Sequence, residues 1–492
     1  MKRFFFLIFS LLLSIICFGQ SKGKIQFNGS MDTSFQFLRA RDYDENSFPH
    51  SLAGKFGFGW QNQANLRLKS QINDFFSFGF SFNITTLTGS YTDIYRSYFS
   101  RSSVSMAQEY EKIPDPTDPT NPTKEKIYPT GNLLSNSFYS IPFYYKATYI
   151  GAFEIERLYF KAGNRFFDIE SGILRLSYGY GVVFRPNDFF NPPNPLNLQG
   201  RPEGVLSFVA NFYPADMIKL QALAVAPDNP VESGGWDFKF GTTATMSISK
   251  VNLQFMYMFL LPQIEYLKDP ESINLPKYFN NDFTHLIGFS LKADVVVGLT
   301  FEAQYRFEQR AFRTGQYYGD RPFYGFEGLQ AAIGVDYTII GRIYILLEYM
   351  FYGSGMVNWW ESTGDTMYID NPRYGLQKED WYKIEPIERQ KMFNLEKKPL
   401  YYLRHNYING MIRVKAHDIC FVGGSFLFGI DDVSAYLTLF TEISPMQAFT
   451  ITLTMAAPID RTTFGISGEA GEFSSSTLGY LQLWSVSVKV KF

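Results

Sequence analysis

The chain has 492 residues, 45 of them basic and 47 acidic, for a formal net charge of −2. That near-neutral balance argues against nucleic acid as a partner, and its two cysteines, Cys17 and Cys420, are too few for a structural zinc cluster. Aromatics make up 18 % of the chain, with 50 Phe and 33 Tyr, yet the mean hydropathy is slightly negative. Aromatic richness without a greasy average suggests a barrel with interfacial girdles more than a soluble core of Leu, Ile and Val.

Lys2-Arg3 followed by an apolar run from Phe4 to Phe18 reads as a secretory signal over 1–19, with cleavage expected after Gly19. A lipoprotein signal at Cys17 is the alternative, disfavoured by the bulky Ile16 before it. Cleavage would leave Cys420 as the one cysteine, with no partner for an intrachain disulfide. The remainder, 20–492, is expected to be a single barrel domain, and no further segment reaches the roughly 20 apolar residues of a membrane helix.

Eighteen β segments follow: 24–38, 57–71, 74–87, 150–163, 171–184, 203–213, 217–226, 237–248, 251–260, 283–294, 297–310, 326–338, 342–353, 401–414, 417–428, 432–443, 447–457 and 481–492. Several alternate with a period of two. In 74–87, Phe76, Phe78, Phe80, Phe82 and Ile84 face one way and Ser77, Gly79, Ser81, Asn83 and Thr85 the other. In 297–310, Glu302, Gln304, Arg306, Glu308 and Arg310 oppose Phe301, Ala303, Tyr305 and Phe307. Charge on the face away from the hydrophobes implies a polar interior, which a soluble sandwich core would not tolerate.

The connections alternate short and long. Eight are short, and the other set, including 88–149, 185–202, 354–400 and 458–480, is long except for 429–431. Short turns at one end and long loops at the other predict an all-β, transmembrane antiparallel barrel of about eighteen strands (range 16–18) in the outer membrane of a diderm bacterium, with both termini periplasmic. Within 88–149, the stretch Pro114 to Thr123 reads as extended and solvated, and 377–398 as a possible short surface helix.

The final strand alternates Trp484, Val486, Val488, Val490 and Phe492 with Ser485, Ser487, Lys489 and Lys491. It resembles the assembly signal of bacterial outer-membrane barrels, with Trp484 and Phe492 as the residues that carry it. This implies outer-membrane lipid, lipopolysaccharide and the barrel-assembly machinery as partners.

A second resemblance runs from Glu156 to Ala226. Arg157-Leu158-Tyr159-Phe160-Lys161-Ala162-Gly163 is followed by Leu174-Arg175-Leu176-Ser177-Tyr178-Gly179-Tyr180-Gly181 and by Phe184-Arg185-Pro186-Asn187-Asp188-Phe189-Phe190-Asn191-Pro192. This order is similar to that of porin-like barrels related to the alginate-export channels, as are Ile333 to Tyr337, Leu347-Glu348-Tyr349 and Asp431 to Ser434. The chain departs from the pattern at Tyr180-Gly181, where that group commonly carries Trp-Gly. The resemblance implies a channel.

Alternation puts Arg67, Lys69, Arg157, Lys161, Arg175, Arg306, Arg310 and Arg342 on the inner face, against Glu302, Glu308 and Glu348. A basic excess in a pore favours anions. The plainer reading is that these charges pair across strands and keep the lumen wet. Gly179 and Gly181 are expected to project inward beside Arg175, allowing a close approach or merely relieving crowding. The stiff loop with Arg185, Asn187, Asp188 and Asn191 is a candidate constriction, or else a rigid surface turn.

An enzyme is not expected: His50, His285, His405 and His417 lie in no nucleophile motif, and no cofactor or metal site is indicated. The expected function is passive transport of small or extended polar solutes, with some preference for anions. The alternative is an adhesin or partner-binding barrel acting through 88–149 and 354–400.

Overall fold

Alternating sequence of this kind leaves one apolar face per strand, and closing the sheet removes both edges. The computed structural model describes residues 24–40, 56–89, 107–113, 124–130, 140–146, 149–191, 204–226, 238–261, 283–308, 328–353, 405–459, 473 and 480–492. The strands are β1 (Lys24–Ala40), β2 (Phe56–Gln71), β3 (Phe76–Gly89), β4 (Ala107–Ile113), β5 (Lys124–Thr130), β6 (Ser140–Lys146), β7 (Tyr149–Gly163), β8 (Phe167–Leu174), β9 (Val205–Ala215), β10 (Ile218–Val225) and β11 (Lys239–Ile248). They continue as β12 (Val251–Leu260), β13 (Thr284–Asp294), β14 (Gly298–Glu308), β15 (Leu329–Ile339), β16 (Ile343–Tyr352), β17 (Asn406–His417), β18 (Cys420–Gly429), β19 (Ser434–Met446), β20 (Phe449–Ile459) and β21 (Tyr480–Lys491). There is no helix among the described residues.

Eighteen of these strands form the wall. The sequence β1-β2-β3-β7 continues through β8 to β21 with every neighbour antiparallel, and β21 pairs back onto β1 from Ser30↔Lys491 to Ala40↔Tyr480. The expected strand number therefore holds, and the connections at one end are as short as Ser249-Lys250 between β11 and β12. At that end the C-terminus is stitched in by two bonds: Phe492 donates its N–H to Gly29 O at 3.0 Å, and Gly29 donates to Phe492 O at 2.8 Å. The short turn expected at 429–431 is a real exception: Ile430 to Val433 joins β18 to β19, with Asp432 Oδ1 accepting from Ser434 N–H at 3.2 Å.

The outer face is apolar. Phe27, Phe58, Phe160, Phe255 and Leu347 are all exposed, an arrangement that fits hydrocarbon and would be a liability in water. Inward positions are polar at mid-wall, including Asn65, Asn83, Thr243, Gln254, Glu302 and Gln304. The faces expected for 74–87 are those observed, as are those of 297–310 as far as Phe307.

Three expectations need correction. The strand read over 171–184 ends at Leu174; residues from Arg175 to Asn191 leave the wall and enter the lumen. The strand read from 342 begins at Ile343, so Arg342 lies in the turn Ile340 to Arg342, with its side chain exposed. Inside the loop read as 88–149 lie β6 and a separate β4–β5 hairpin. β6 pairs with Tyr149 to Glu154 of β7, on the edge left open where β8 turns inward. That free edge is the physical reason a loop segment becomes a strand. The leader 1–19, the proline-rich 114–123 and the segment 377–398 lie outside the described residues.

Candidate functional site

The site begins at a break in register. β3 and β7 pair regularly until Ser81↔Arg157, and the next pair is Phe82↔Ile155, so Glu156 is an extra residue. Such a bulge puts two successive side chains on one face. Strict alternation would place Glu156 against lipid; the bulge brings it into the lumen beside Arg157. An acidic residue on a lipid-facing parity was itself the signal of the break, and sequence reasoning missed it.

Glu156 is almost fully buried. It accepts from Asn65 Nδ2 at 2.7 Å and Ser81 Oγ at 3.0 Å, lies 3.8 Å from Arg67, and forms an ion pair with Arg175. Arg67 also donates from Nε to Asn65 Oδ1 at 2.7 Å. A buried carboxylate is tolerable only when it is paired and hydrogen-bonded in this way. The pair with Arg175 anchors the chain where it leaves the wall.

From that root the inward fold runs along the wall, and the wall supplies acceptors for its backbone. Tyr178 donates its hydroxyl to Gln221 Oε1 at 2.8 Å, and Gly179 N–H goes to Gln254 Oε1 at 2.9 Å. Tyr180 N–H and Gly181 N–H both go to Glu302 Oε1, the second at 2.6 Å. Val182 and Val183 donate to the two oxygens of Glu348 at 2.7 and 2.9 Å. The chain then returns: Asn187 donates from Nδ2 to Ser290 Oγ at 2.7 Å and to Phe289 O at 2.8 Å. Successive N–H groups gathered on one carboxylate form an anion-binding concavity, and hydrogen bonds to an ionised acceptor are among the stronger kind.

Glycine is required at two points. Gly179 has φ +85°, and a Cβ there would come within 2.5 Å of Glu302 Oε2. In the wall, a Cβ at Gly288 would meet Asn187 Oδ1 at 2.3 Å. Gly179 and Gly181 do not project from the wall as expected but lie in the inward segment itself, and at Gly179 the close approach is to a carboxylate of the wall.

Apolar packing completes the seating. Tyr178 and Phe190 pack with Val209, Leu223, Met256 and Leu286 on one side. Val183 and Phe184 pack with Leu38, Met350, Tyr352, Tyr407 and Phe473 on the other. Burial pushes the Tyr178 phenol above its ordinary pKa, and the charge of Asp188 adds to this. Within the fold, Asp188 accepts from Ser177 Oγ at 2.6 Å and from Asn191 N–H at 3.1 Å, while Arg185 Nε donates to Gly181 O at 2.5 Å. The candidate constriction residues Arg185, Asn187, Asp188 and Asn191 are thus inside the barrel, in a longer inward segment than sequence indicated.

Below the root of this segment, toward the short turns, lies a cavity of about 740 Å³ lined by β2, β3 and β7 to β12. Lys69, Arg157, Lys161 and Arg175 line it together with Asn211, Lys219 and Gln221. Lys161 is committed to Glu170 at 2.7 Å and Asp168 at 3.2 Å. Lys69 of β2, Arg157 and Lys161 of β7 and Arg175 just after β8 thus line one cavity. Glu302 and Glu348 are not open pore-lining groups: both are covered by the inward fold they hold. Arg306 is on the inner face of β14 toward its long-connection end. Glu308 is the last residue of that strand, and Arg310 lies outside the described residues.

A closed barrel, apolar without and polar within, with a strap of its own chain across the lumen, defines a membrane-spanning β-barrel. No family model and no curated protein matches the chain. Among solved structures it is similar to Acinetobacter baumannii OccAB1, at 11 % identity and TM-score 0.45, over 96 % of this chain and 98 % of that one. Pseudomonas aeruginosa OpdK with vanillate aligns at 9 % identity and TM-score 0.45, over 96 % and 98 %. Pseudomonas putida OprB at low pH aligns at 6 % identity and TM-score 0.34, over 98 % and 95 %.

Proposed function

We propose that this protein is an outer-membrane channel for passive movement of small polar solutes, with anions favoured, and that the short turns and both termini face the periplasm. The observation that carries this reading is the charge of one lumen wall. Arg67 and Arg175 pair with the buried Glu156, and the cavity beneath the inward fold is lined by Lys69, Arg157, Lys161, Arg165, Arg175 and Lys219 against Asp74, Asp168 and Glu170. In a confined, low-dielectric lumen such an excess raises the local concentration of anions. An eighteen-stranded wall is wide enough for water, and the strap crosses that lumen beside its basic side chains. The resemblance to alginate-export-type channels rests largely on residues of the strap and its flanking strands, and it supports a channel without naming the cargo. The leader over 1–19 belongs to the same proposal, since export precedes assembly.

Planar-bilayer recording tests the reading. Refolded protein should conduct, with a reversal potential on the anion side in a salt gradient. Lys69→Gln with Arg157→Gln should move that potential toward zero. Folded barrels that never conduct would overturn the channel and leave the partner-binding alternative; a cation-side potential would overturn the anion preference alone.

A further inference from the structure

The register of β2, β3 and β7 arranges their lumen faces as a grid. Arg67, Ser81 and Arg157 stand in one row, and Lys69, Gly79 and Tyr159 in the next. Ser77 of β3 follows toward the short turns, beside Lys161. The middle strand contributes only Ser and Gly to these rows, so a shallow groove runs down β3 between two columns of long side chains. Tyr159 leans across it: its hydroxyl lies over Gly79, 2.8 Å from where a Cβ would stand.

Most charges around this groove are already answered. Arg67 and Arg175 share Glu156, Arg165 pairs with Asp216 at 3.2 Å, and Lys161 holds Glu170 and Asp168. Lys219 stands near the same two carboxylates, and Asp168 also accepts from Asn211 at 2.7 Å and Tyr213 at 2.9 Å. Glu154, one row beyond Arg157, accepts from Asn83 Nδ2 at 3.2 Å and does not line the cavity. Asp74 is exposed in the turn at the cavity mouth. Four groups are left over. Among the described residues, Lys69 and Arg157 have no carboxylate within ion-pairing distance, and the hydroxyls of Ser77 and Tyr159 have no hydrogen-bond partner. All four line the same cavity. Lys69 and Arg157 flank the groove from opposite sides, with Cα atoms about 12 Å apart by strand spacing.

We propose that this corner is a binding subsite for a tetrahedral dianion, inorganic phosphate, held by Lys69 and Arg157 across the groove while Tyr159 and Ser77 donate to its remaining oxygens. The proposal rests on the anion-favouring lumen argued above and deepens it by naming the charge and shape of the solute. Two facing cations select a dianion, because a monoanion leaves one of them unanswered. Shape points the same way. A tetrahedral ion presents oxygens in four directions, matching donors spread over two strands and the floor between them, whereas a carboxylate presents both oxygens on one side. Guanidinium and ammonium groups are also the side chains suited to phosphate oxygens.

The experiment follows the phosphorus NMR line of inorganic phosphate at about pH 8, where the ion is mainly dianionic, with the full chain refolded in phosphate-free detergent micelles. The parent should broaden the line saturably. Sulfate should displace the phosphate, and acetate at the same ionic strength should not. Lys69→Gln and Arg157→Gln should each weaken binding several-fold, while Lys292→Gln, on the lumen face of β13 outside the cavity, should leave it unchanged. Absence of saturable broadening would overturn the subsite. Equal displacement by acetate would overturn it too, as would an equal loss with Lys292→Gln, which would mean diffuse charge and no site. Either groove variant carries the test if the other fails to fold. Binding is read without conductance. Saturable phosphate binding by a barrel that never conducts therefore sinks the channel reading alone, and an anion-selective barrel without such binding sinks the subsite alone.

Discussion

Gly181 donates its backbone N–H to Glu302 Oε1 at 2.6 Å, so a backbone group 121 residues away in the chain is tied to a wall carboxylate. The same carboxylate takes the N–H of Tyr180 and, through its second oxygen, that of Asn187 at 3.4 Å. Glu302→Gln keeps one acceptor oxygen and turns an NH₂ group toward a donor. Leaving one buried N–H without an acceptor costs roughly 1–3 kcal/mol, which falls on the strap while the wall keeps its ladder. The expected result is a folded barrel with higher single-channel conductance and more frequent substates. Conductance and noise identical to the parent would show that Glu302 does not hold the strap.

Gly179 and Gly341 separate two costs of a side chain. Both have positive φ, but a Cβ at Gly341 meets nothing within 4 Å, whereas one at Gly179 comes within 2.5 Å of the Glu302 carboxylate. Gly341→Ala should cost only the left-handed penalty of about 1–2 kcal/mol. Gly179→Ala adds displacement of a buried charge and should cost more, with the loss appearing as altered conductance. Urea unfolding of the two variants, read alongside their channel recordings, checks the order. Equal costs would mean that the strap gives way freely at Gly179.

Strand number, the facing of most side chains and the alternation of connections were legible because each depends on the period-two pattern and on connection length. The strap was not, because Leu174 to Phe184 reads as a good strand: Leu176, Tyr178, Tyr180 and Val182 alternate much as a wall strand would. Only the acceptors that meet its backbone, Gln254, Glu302 and Glu348, distinguish it, and these come from β12, β14 and β16. Glu302 and Glu348 look like lumen charges in sequence for the same reason; what covers them is set by tertiary contact. Arg342 was placed one residue too deep because turn and strand boundaries share the same residue types.

Glu156 is buried against the arginines of the basic wall. It is the carboxylate that the bulge places among Arg67, Arg157 and Arg175. Glu156→Gln keeps the size and most hydrogen bonding of the side chain and removes one negative charge, so the reversal potential should move further toward the anion side. Arg67→Gln should move it the opposite way, and the double variant should return near the parent value. A structural role alone would lower folded yield without this compensation, so a double variant that fails to restore the potential would argue against Glu156 as the charge-setting residue.

Phe492 closes the wall against β1. Its backbone exchanges two bonds with Gly29, and its ring fills the space above that glycine, where a Cβ would come within 2.3 Å of Cε2. Glycine in a strand leaves backbone uncovered, and an aromatic ring laid across it restores the contact. Removal of Phe492 takes away both bonds at the β1–β21 seam, which is the last pairing needed to eliminate the sheet edges. The lumen residues are untouched by that change. Folded yield, read as the heat-sensitive compact band on a gel, should fall several-fold for the truncated chain. Barrels that do close should conduct as the parent does. Gly29→Ala tests the ring contact without shortening the chain and should lower the yield in the same direction; normal yield for both variants would remove the assembly role from this residue.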